Sequence, residues 1–106
     1  MDVQLKRGIL DVCVLTVLRR GESYGYRLVR DVGEIIDVSE STLYPILKRL
    51  EANGQVTVHS AEHNGRLRKY YRITESGEER IRAFLDEWRV LLRALSRIEA
   101  EVGTNE

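Results

Sequence analysis

The sequence predicts a mainly α-helical fold that carries one small β-hairpin, and three observations support this prediction. Apolar residues recur at helical spacing over most of the chain. Only residues 55–73 alternate apolar and polar side chains, on both sides of the tight-turn dipeptide Asn64-Gly65. The segment after residue 75 carries a long apolar stripe typical of a single extended helix. With 106 residues, the chain is expected to form one domain.

Two helices are predicted in the first third of the chain. Residues 3–20 place their apolar side chains on one wide side of a helix, and Gly21 is expected to end it. Ser23 is a candidate N-cap for a short second helix over residues 24–33, in which apolar side chains recur at every fourth position. A turn over residues 34–38 then leads to the third helix.

The third predicted helix, over residues 40–52, is the most informative segment. Ser39 is its expected N-cap, and Asn53-Gly54 is expected to end it. Pro45 breaks the helical pattern in the second turn, because it has no N–H to donate to the carbonyl of Ser41. The apolar stripe of this helix consists of Leu43, Ile46, Leu47 and Leu50. Hydroxyls, an aromatic ring and two cations fill the other positions, a composition that suits the major groove of DNA.

The hairpin and a final helix complete the predicted fold. Residues 55–60 and 66–73 are expected to pair as strands, with Tyr71 in the core. Thr74 or Ser76 is expected to cap the final helix. Three helices, a hairpin and a further helix form the winged helix-turn-helix arrangement, in which the third helix enters the major groove and the hairpin, or wing, reaches the neighbouring backbone.

Nine side chains are predicted to contact DNA from the third helix and the wing. They are Ser39, Ser41, Thr42, Tyr44, Lys48, Arg49, Arg66, Arg68 and Lys69. The hydroxyls and Tyr44 are candidates for base or phosphate contacts, and the cations are candidates for phosphate contacts. The alternatives are that Tyr44 packs in the core, that the helix cations are only solvated, and that the wing cations protect an edge strand.

The charge distribution supports nucleic-acid binding although the net charge of the chain is zero. Residues 41–73 carry six cations against two carboxylates, a net charge of +4. Residues 1–40 carry six cations against seven carboxylates, a net −1, and residues 74–106 carry five against eight, a net −3. Because phosphate binding depends on a local basic surface more than on the total charge, the segment predicted to meet DNA is the suitable one.

The final helix is predicted to form a homodimer. Its apolar side chains fall at spacings of three and four residues, more than so small a domain can cover by itself. The predicted dimerisation residues are Ile81, Phe84, Trp88, Leu91, Leu92, Leu95 and Ile98. The expected organisation is therefore a DNA-binding domain over residues 1–75, a dimerisation helix over residues 76–102 and a frayed tail over residues 103–106.

Four separated motifs resemble the PadR family of bacterial and archaeal transcriptional regulators. They are SYGYRL at residues 23–28, SESTLYPILKRL at 39–50, NG at 53–54 and RKYYRITESG at 68–77. The resemblance implies a dimeric, usually repressing protein that binds double-stranded DNA at inverted-repeat operators. The chain departs from the family pattern at Leu67, where a small residue or proline is common.

The same resemblance suggests a ligand site at Trp88. In some small family members an aromatic residue of the C-terminal helix stacks on flat hydrophobic ligands at the dimer interface, and Trp88 lies at a comparable position, eleven residues after Gly77. A small hydrophobic or aromatic effector that releases the protein from DNA is thus a candidate partner. The alternative is that Trp88 only fills the dimer core.

Other function classes have weaker support in the sequence. A winged-helix module for protein interaction or ligand sequestration, without specific DNA binding, is the main alternative. No enzyme motif is visible, no cofactor is expected, and His59 and His63 lack the cysteines or clustered carboxylates of a metal site. The single cysteine, Cys13, fits a reducing cytoplasm, and neither a signal peptide nor a membrane span is apparent.

Overall fold

Four helices and two antiparallel strands make up the computed structural model, which describes residues 2–103. In chain order they are α1 (Val3–Leu18), α2 (Gly25–Gly33), α3 (Glu40–Ala52), β1 (Val56–His63), β2 (Arg66–Ile73) and α4 (Glu75–Val102). The predicted fold class is confirmed, a mainly helical winged helix-turn-helix with a long C-terminal helix. Within the described residues, no helix is long and apolar enough to cross a membrane.

Helix α1 is the centre of the core, because α2, α3, β2 and the start of α4 all pack against it. Its residues 10–15, together with Val17 and Leu18, are buried. The other elements contribute Leu28, Val32, Leu43, Ile46, Leu47, Leu50, Val56, Tyr71 and Ile81 to the same cluster. The apolar stripe predicted for the third helix therefore faces α1, which leaves the polar side of α3 facing outwards.

The hairpin has the register that its tight turn dictates. Val56 pairs with Ile73 at the base of the hairpin, and His63 pairs with Arg66 beside the turn. Asn64 and Gly65 both have positive φ, 52° and 79°, as a type I′ turn requires. Strand β1 extends to His63, three residues beyond the predicted end, since the turn joins the two strands directly. The wing is thus a regular two-stranded ribbon.

Two sequence predictions near the start of α2 are wrong. Helix α1 ends at Leu18 rather than residue 20, and Arg20 donates a turn-type hydrogen bond to the carbonyl of Val17. Ser23 is not the N-cap of α2; the cap position belongs to Tyr24, which makes no side-chain capping bond. Ser23 instead pairs with Tyr71 of β2 as an isolated antiparallel bridge, so a tertiary contact replaces the local one.

The N-caps of α3 and α4 follow the sequence more closely. The hydroxyl of Ser39 accepts a hydrogen bond from the N–H of Thr42, as predicted. Thr74, rather than Ser76, caps α4 by accepting a bond from Gly77, and its hydroxyl also donates to the carbonyl of Gly54. This second bond ties the end of α3 to the start of α4.

Helix α4 extends well beyond the domain on which it starts. Its first turns pack against α1, while the residues after Trp88 are exposed, and the described chain measures 60 × 26 × 22 Å. The helix ends at Val102, and its C-cap Gly103 has a positive φ of 71°. Of the tail predicted to be frayed, residues 104–106 lie outside the described residues.

Candidate nucleic-acid interface

Three hydroxyls form an exposed cluster at the start of α3. The Oγ of Ser39 lies 3.0 Å from the Oγ of Ser41 and 3.1 Å from the Oγ1 of Thr42. The same Ser39 oxygen accepts the N–H of Thr42 at 3.3 Å. The cap therefore fixes the orientation of hydroxyl groups that remain in contact with solvent, at the helix end whose dipole favours negative charge.

Tyr44 projects from the outer side of α3 and lies across the start of α2. A Cβ placed on Gly25 would stand 2.8 Å from the Cζ of Tyr44, so the ring touches the bare backbone at this position. Tyr44 is nevertheless 47% exposed. Tyr44 therefore does not pack in the core, which was the alternative, and its phenol is accessible from outside.

Four of the predicted cations have no carboxylate partner within residues 2–103. They are Lys48 on α3 and Arg66, Arg68 and Lys69 on the wing. Lys48, Arg66 and Lys69 are exposed, and Arg68 is half-buried against Tyr24. The charge of these four cations is not offset by a neighbouring carboxylate of the described chain, so they are available to bind phosphates.

A groove of about 330 Å³ joins α2, α3 and the wing. Its walls are Tyr24, Gly25, Tyr26, Tyr44, Arg68, Lys69 and Tyr71. Aromatic rings and two cations line this space, and its polar groups belong to three different elements. Burial, and to a lesser extent the nearby Tyr44 and Glu51, raise the pKa of Tyr71, so this wall keeps a neutral phenol.

The predicted phosphate contact of Arg49 does not fit the structure. Its guanidinium forms an ion pair with Asp11, a buried residue of α1, on the side of α3 that faces the domain. Arg80 of α4 also donates to Asp11, at 3.1 Å. Because a buried carboxylate needs a counter-charge, both arginines have a structural role, and this ion pair disfavours the predicted phosphate contact of Arg49.

The predicted dimerisation residues divide into two groups. Ile81 is buried within the core of the single chain, and Phe84 packs beside Gly8 of α1, so their part in a dimer interface stays a prediction. Trp88 is half-buried beside Phe84, with ring centroids 5.8 Å apart. The remaining four, Leu91, Leu92, Leu95 and Ile98, are 52–56% exposed. Among these seven residues, the four on the distal part of α4 are the ones left uncovered.

The thiol of Cys13 and the imidazole of His59 both have structural surroundings. Burial raises the pKa of the Cys13 thiol, which keeps it protonated within the core. His59 stacks on Tyr70 and lies 3.7 Å from Glu22. Residues 2–103 contain no group of three or more His, Cys, Asp or Glu side chains that could hold a metal ion.

Sequence reasoning did not identify three residues that organise this region. Asp11 was the one charged residue in an apolar stretch of the first helix, which is the signal that could have found it. Glu22 holds Arg72 at 3.0 Å, and Tyr24 holds Arg68. These two contacts join residues that are 50 and 44 positions apart in the chain, and no local pattern indicates them.

Comparisons with known proteins agree with this architecture. The sequence model of the transcriptional regulator PadR-like family matches residues 14–83. An uncharacterised protein of Lysinibacillus sphaericus is 30% identical over 87 residues, 77% of this chain and 80% of that protein. A PadR family transcriptional regulator from Eggerthella lenta has a similar structure, with a TM-score of 0.81, 34% identity and coverage of 97% of this chain and 89% of that chain.

One similar structure contains DNA. PadR of Bacillus subtilis in complex with operator DNA has a TM-score of 0.68 and 28% identity, covering 73% of this chain and 46% of that one. In sequence, the negative transcriptional regulator PadR of Bacillus subtilis is 29% identical over 82 residues, 73% of this chain and 45% of its own length. The chain therefore spans about half of the length of that regulator.

Proposed function

The chain belongs to the PadR-like family and is a DNA-binding transcriptional regulator, and from this premise we propose that it is a repressor that binds an inverted-repeat operator as a homodimer. The observation that carries the proposal is the exposed surface formed by the start of α3 and the wing, with its solvent-accessible hydroxyls and with cations that have no carboxylate partner within residues 2–103. Repression follows if the bound dimer blocks access of the transcription machinery to a promoter. The similarity to a negative regulator supports this direction of control.

The proposed DNA contacts are shared between α3 and the wing. Ser41, Thr42 and Tyr44 meet base edges or phosphates in the major groove, with Ser39 fixing the orientation of the two hydroxyls. The unpaired cations Lys48, Arg66, Arg68 and Lys69 neutralise phosphates on both sides of that groove. This division assigns sequence readout to the helix start and most of the affinity to the cations.

Dimerisation through α4 is proposed on the basis of its uncovered apolar side. Leu91, Leu92, Leu95 and Ile98 occupy about two turns of helix and are each more than half exposed. A monomeric protein rarely leaves a continuous apolar surface of this kind in water. A second copy of α4, related by a two-fold axis, covers it at the lowest cost in new surface, and the same symmetry presents two α3 helices to two half-sites.

We also propose that an effector binds where α4 leaves the domain. Trp88 and Phe84 form an aromatic pair at the boundary between the packed and uncovered parts of α4. A planar aromatic compound stacked on Trp88 at a two-fold interface would alter the spacing of the two α3 helices, and hence operator affinity.

We further propose that the protein is located in the cytoplasm, because the partner proposed for it is chromosomal DNA.

The proposed function is tested by a gel shift with DNA from the region upstream of the gene, at two salt concentrations, combined with sedimentation of the free protein. We expect a discrete complex that resists non-specific competitor DNA and weakens steeply with salt, and a dimeric free protein. The variant Lys69→Gln should bind more weakly, whereas Arg97→Gln, on the distal part of α4, should not. A monomer in solution, or a smear lost to competitor with every fragment of a genomic library, would contradict the proposal.

A further inference from the structure

Tyr24 lies at the junction between the helix-turn-helix and the wing. The preceding residue, Ser23, exchanges two backbone hydrogen bonds with Tyr71 of β2, of 3.1 and 2.7 Å. Tyr24 itself has extended backbone angles, φ −132° and ψ 166°, before α2 begins at Gly25. The segment that enters α2 is therefore joined to the wing by a single antiparallel bridge, which places the ring of Tyr24 against the surface of the hairpin.

On that surface the guanidinium group of Arg68 lies over the ring of Tyr24. The Cζ of Arg68 lies 3.9 Å from the centroid of the Tyr24 ring. Tyr70 meets the same ring edge-on, with centroids 5.9 Å apart and planes at 76°, and Tyr70 is itself stacked on His59 at 5.6 Å. Arg68 and Tyr70 are two residues apart on one strand and so lie on the same face. Tyr70 thus limits the rotation of the ring on which Arg68 rests.

The guanidinium of Arg68 is oriented without being neutralised. Four residues further along the same face, Arg72 is held by the carboxylate of Glu22 at 3.0 Å. Arg68 has no such partner within the described part of the chain, and it borders the groove together with Lys69 and Tyr44. An aromatic face fixes a guanidinium plane while leaving its N–H groups free to donate to an oxyanion.

We propose that Tyr24 is a positioning residue for DNA binding: its ring holds Arg68 in the orientation that binds one backbone phosphate beside the groove. The inference rests on the DNA interface proposed above and adds to it a residue that is not itself assigned to DNA. The physical gain is preorganisation, because a stacked arginine has lost part of its rotamer freedom before the phosphate arrives. The phosphate then replaces only water on the outer edge of the guanidinium.

The test measures the salt dependence of binding to a fluorescein-labelled mixed-sequence duplex of about 30 base pairs, because phosphate contacts do not depend on sequence. In Tyr24→Leu we expect affinity to fall by about two- to fivefold, which corresponds to loss of an exposed cation–π contact. The slope of log affinity against log salt should decrease by about one per protomer. Tyr24→Phe keeps the ring and should keep both values.

Two further variants separate positioning from a purely structural role. In an Arg68→Gln background, Tyr24→Leu should have no additional effect on the slope, since the two changes remove the same contact. Arg68→Lys keeps the charge but not the planar group, and should weaken binding even if Tyr24→Leu fails to fold. Arg72→Gln is the matched control, because the guanidinium of Arg72 is already paired with Glu22. This variant should keep the wild-type slope.

Three results would overturn the inference. They are a wild-type slope in folded Tyr24→Leu, full additivity of the Tyr24 and Arg68 changes, and wild-type binding by Arg68→Lys. If the wild-type chain binds the duplex and any of these is found, only the role of Tyr24 fails. If the wild-type chain binds no duplex at any salt concentration, the proposed DNA interface fails together with it.

Discussion

Arg80 on α4 donates a hydrogen bond of 3.1 Å to the buried carboxylate of Asp11 on α1. The same carboxylate is paired with Arg49 of α3, and Asp11 is only 3% exposed. One acidic side chain therefore links the helix proposed to read DNA to the helix proposed to dimerise. Both arginines are about three-quarters buried, so the network is shielded from salt more than a surface pair would be.

We expect Asp11→Ala to destabilise the protein by about 2–4 kcal/mol, because it leaves two partly buried guanidinium groups without a counter-charge. The measurement is the free energy of unfolding in urea. Arg97→Ala, which removes an exposed ion pair with Glu101, is the control and should change stability by less than about 1 kcal/mol. Equal effects of the two changes would mean that the Asp11 network adds nothing to stability.

Gly25→Ala should clearly reduce operator affinity while lowering the free energy of unfolding only slightly. The new Cβ would stand 2.8 Å from the Cζ of Tyr44, and the half-exposed ring can swing outwards to relieve this contact. We therefore expect a loss of stability below about 1.5 kcal/mol, with Tyr44 displaced and operator affinity reduced. Gly33→Ala, in the same helix but with open space around it, should bind DNA normally. Unchanged affinity in Gly25→Ala would argue against a DNA contact by Tyr44.

Gly77→Ala, by contrast, should greatly lower the free energy of unfolding. Its Cβ would meet the backbone carbonyl oxygen of Gln55 at 2.5 Å and the Cγ1 of Ile73 at 2.7 Å. Neither neighbour is a flexible side-chain end, so the start of α4 must shift. We expect a loss of about 2–3 kcal/mol in thermal or urea unfolding. A variant as stable as wild type would show that α4 can move away from the hairpin without cost.

A charge on the uncovered side of α4 should dissociate the dimer. Leu95 is 53% exposed and lies in the middle of the distal apolar side, so Leu95→Glu buries a carboxylate in the proposed interface. We expect sedimentation as a monomer and a midpoint of thermal unfolding that no longer rises with protein concentration. Arg93→Glu is the control for adding a carboxylate to the same helix. A Leu95→Glu protein that remains dimeric would place the interface elsewhere.

Tryptophan fluorescence should report effector binding directly, because Trp88 is the single tryptophan of the chain. Planar aromatic compounds that stack on Trp88 should quench its emission and lower operator affinity in the same concentration range. Leu95→Glu, which separates the two copies, should abolish the quenching if the ligand binds between them. No quenching across a broad set of planar compounds would leave Trp88 with a packing role alone.

The sequence determined the secondary structure closely wherever a local rule applied. The bounds of α3, the cap at Ser39 and the turn at Asn64-Gly65 were all predicted, because apolar periodicity, a capping hydroxyl and a positive-φ dipeptide act within a few residues. The order of these elements then predicted the winged fold. The net +4 charge of residues 41–73 also indicated which segment to propose as the DNA-contacting one.

Only the tertiary structure decided which polar side chains are free to bind. Arg49 and Lys48 are neighbours in sequence, yet Arg49 is held by Asp11 while Lys48 faces solvent. The apparent N-cap Ser23 pairs with Tyr71 instead. An ion pair or a strand bridge depends on groups many residues away, whose approach is set by the packing of whole elements, so a local pattern can mark Asp11 as unusual but cannot name its partners.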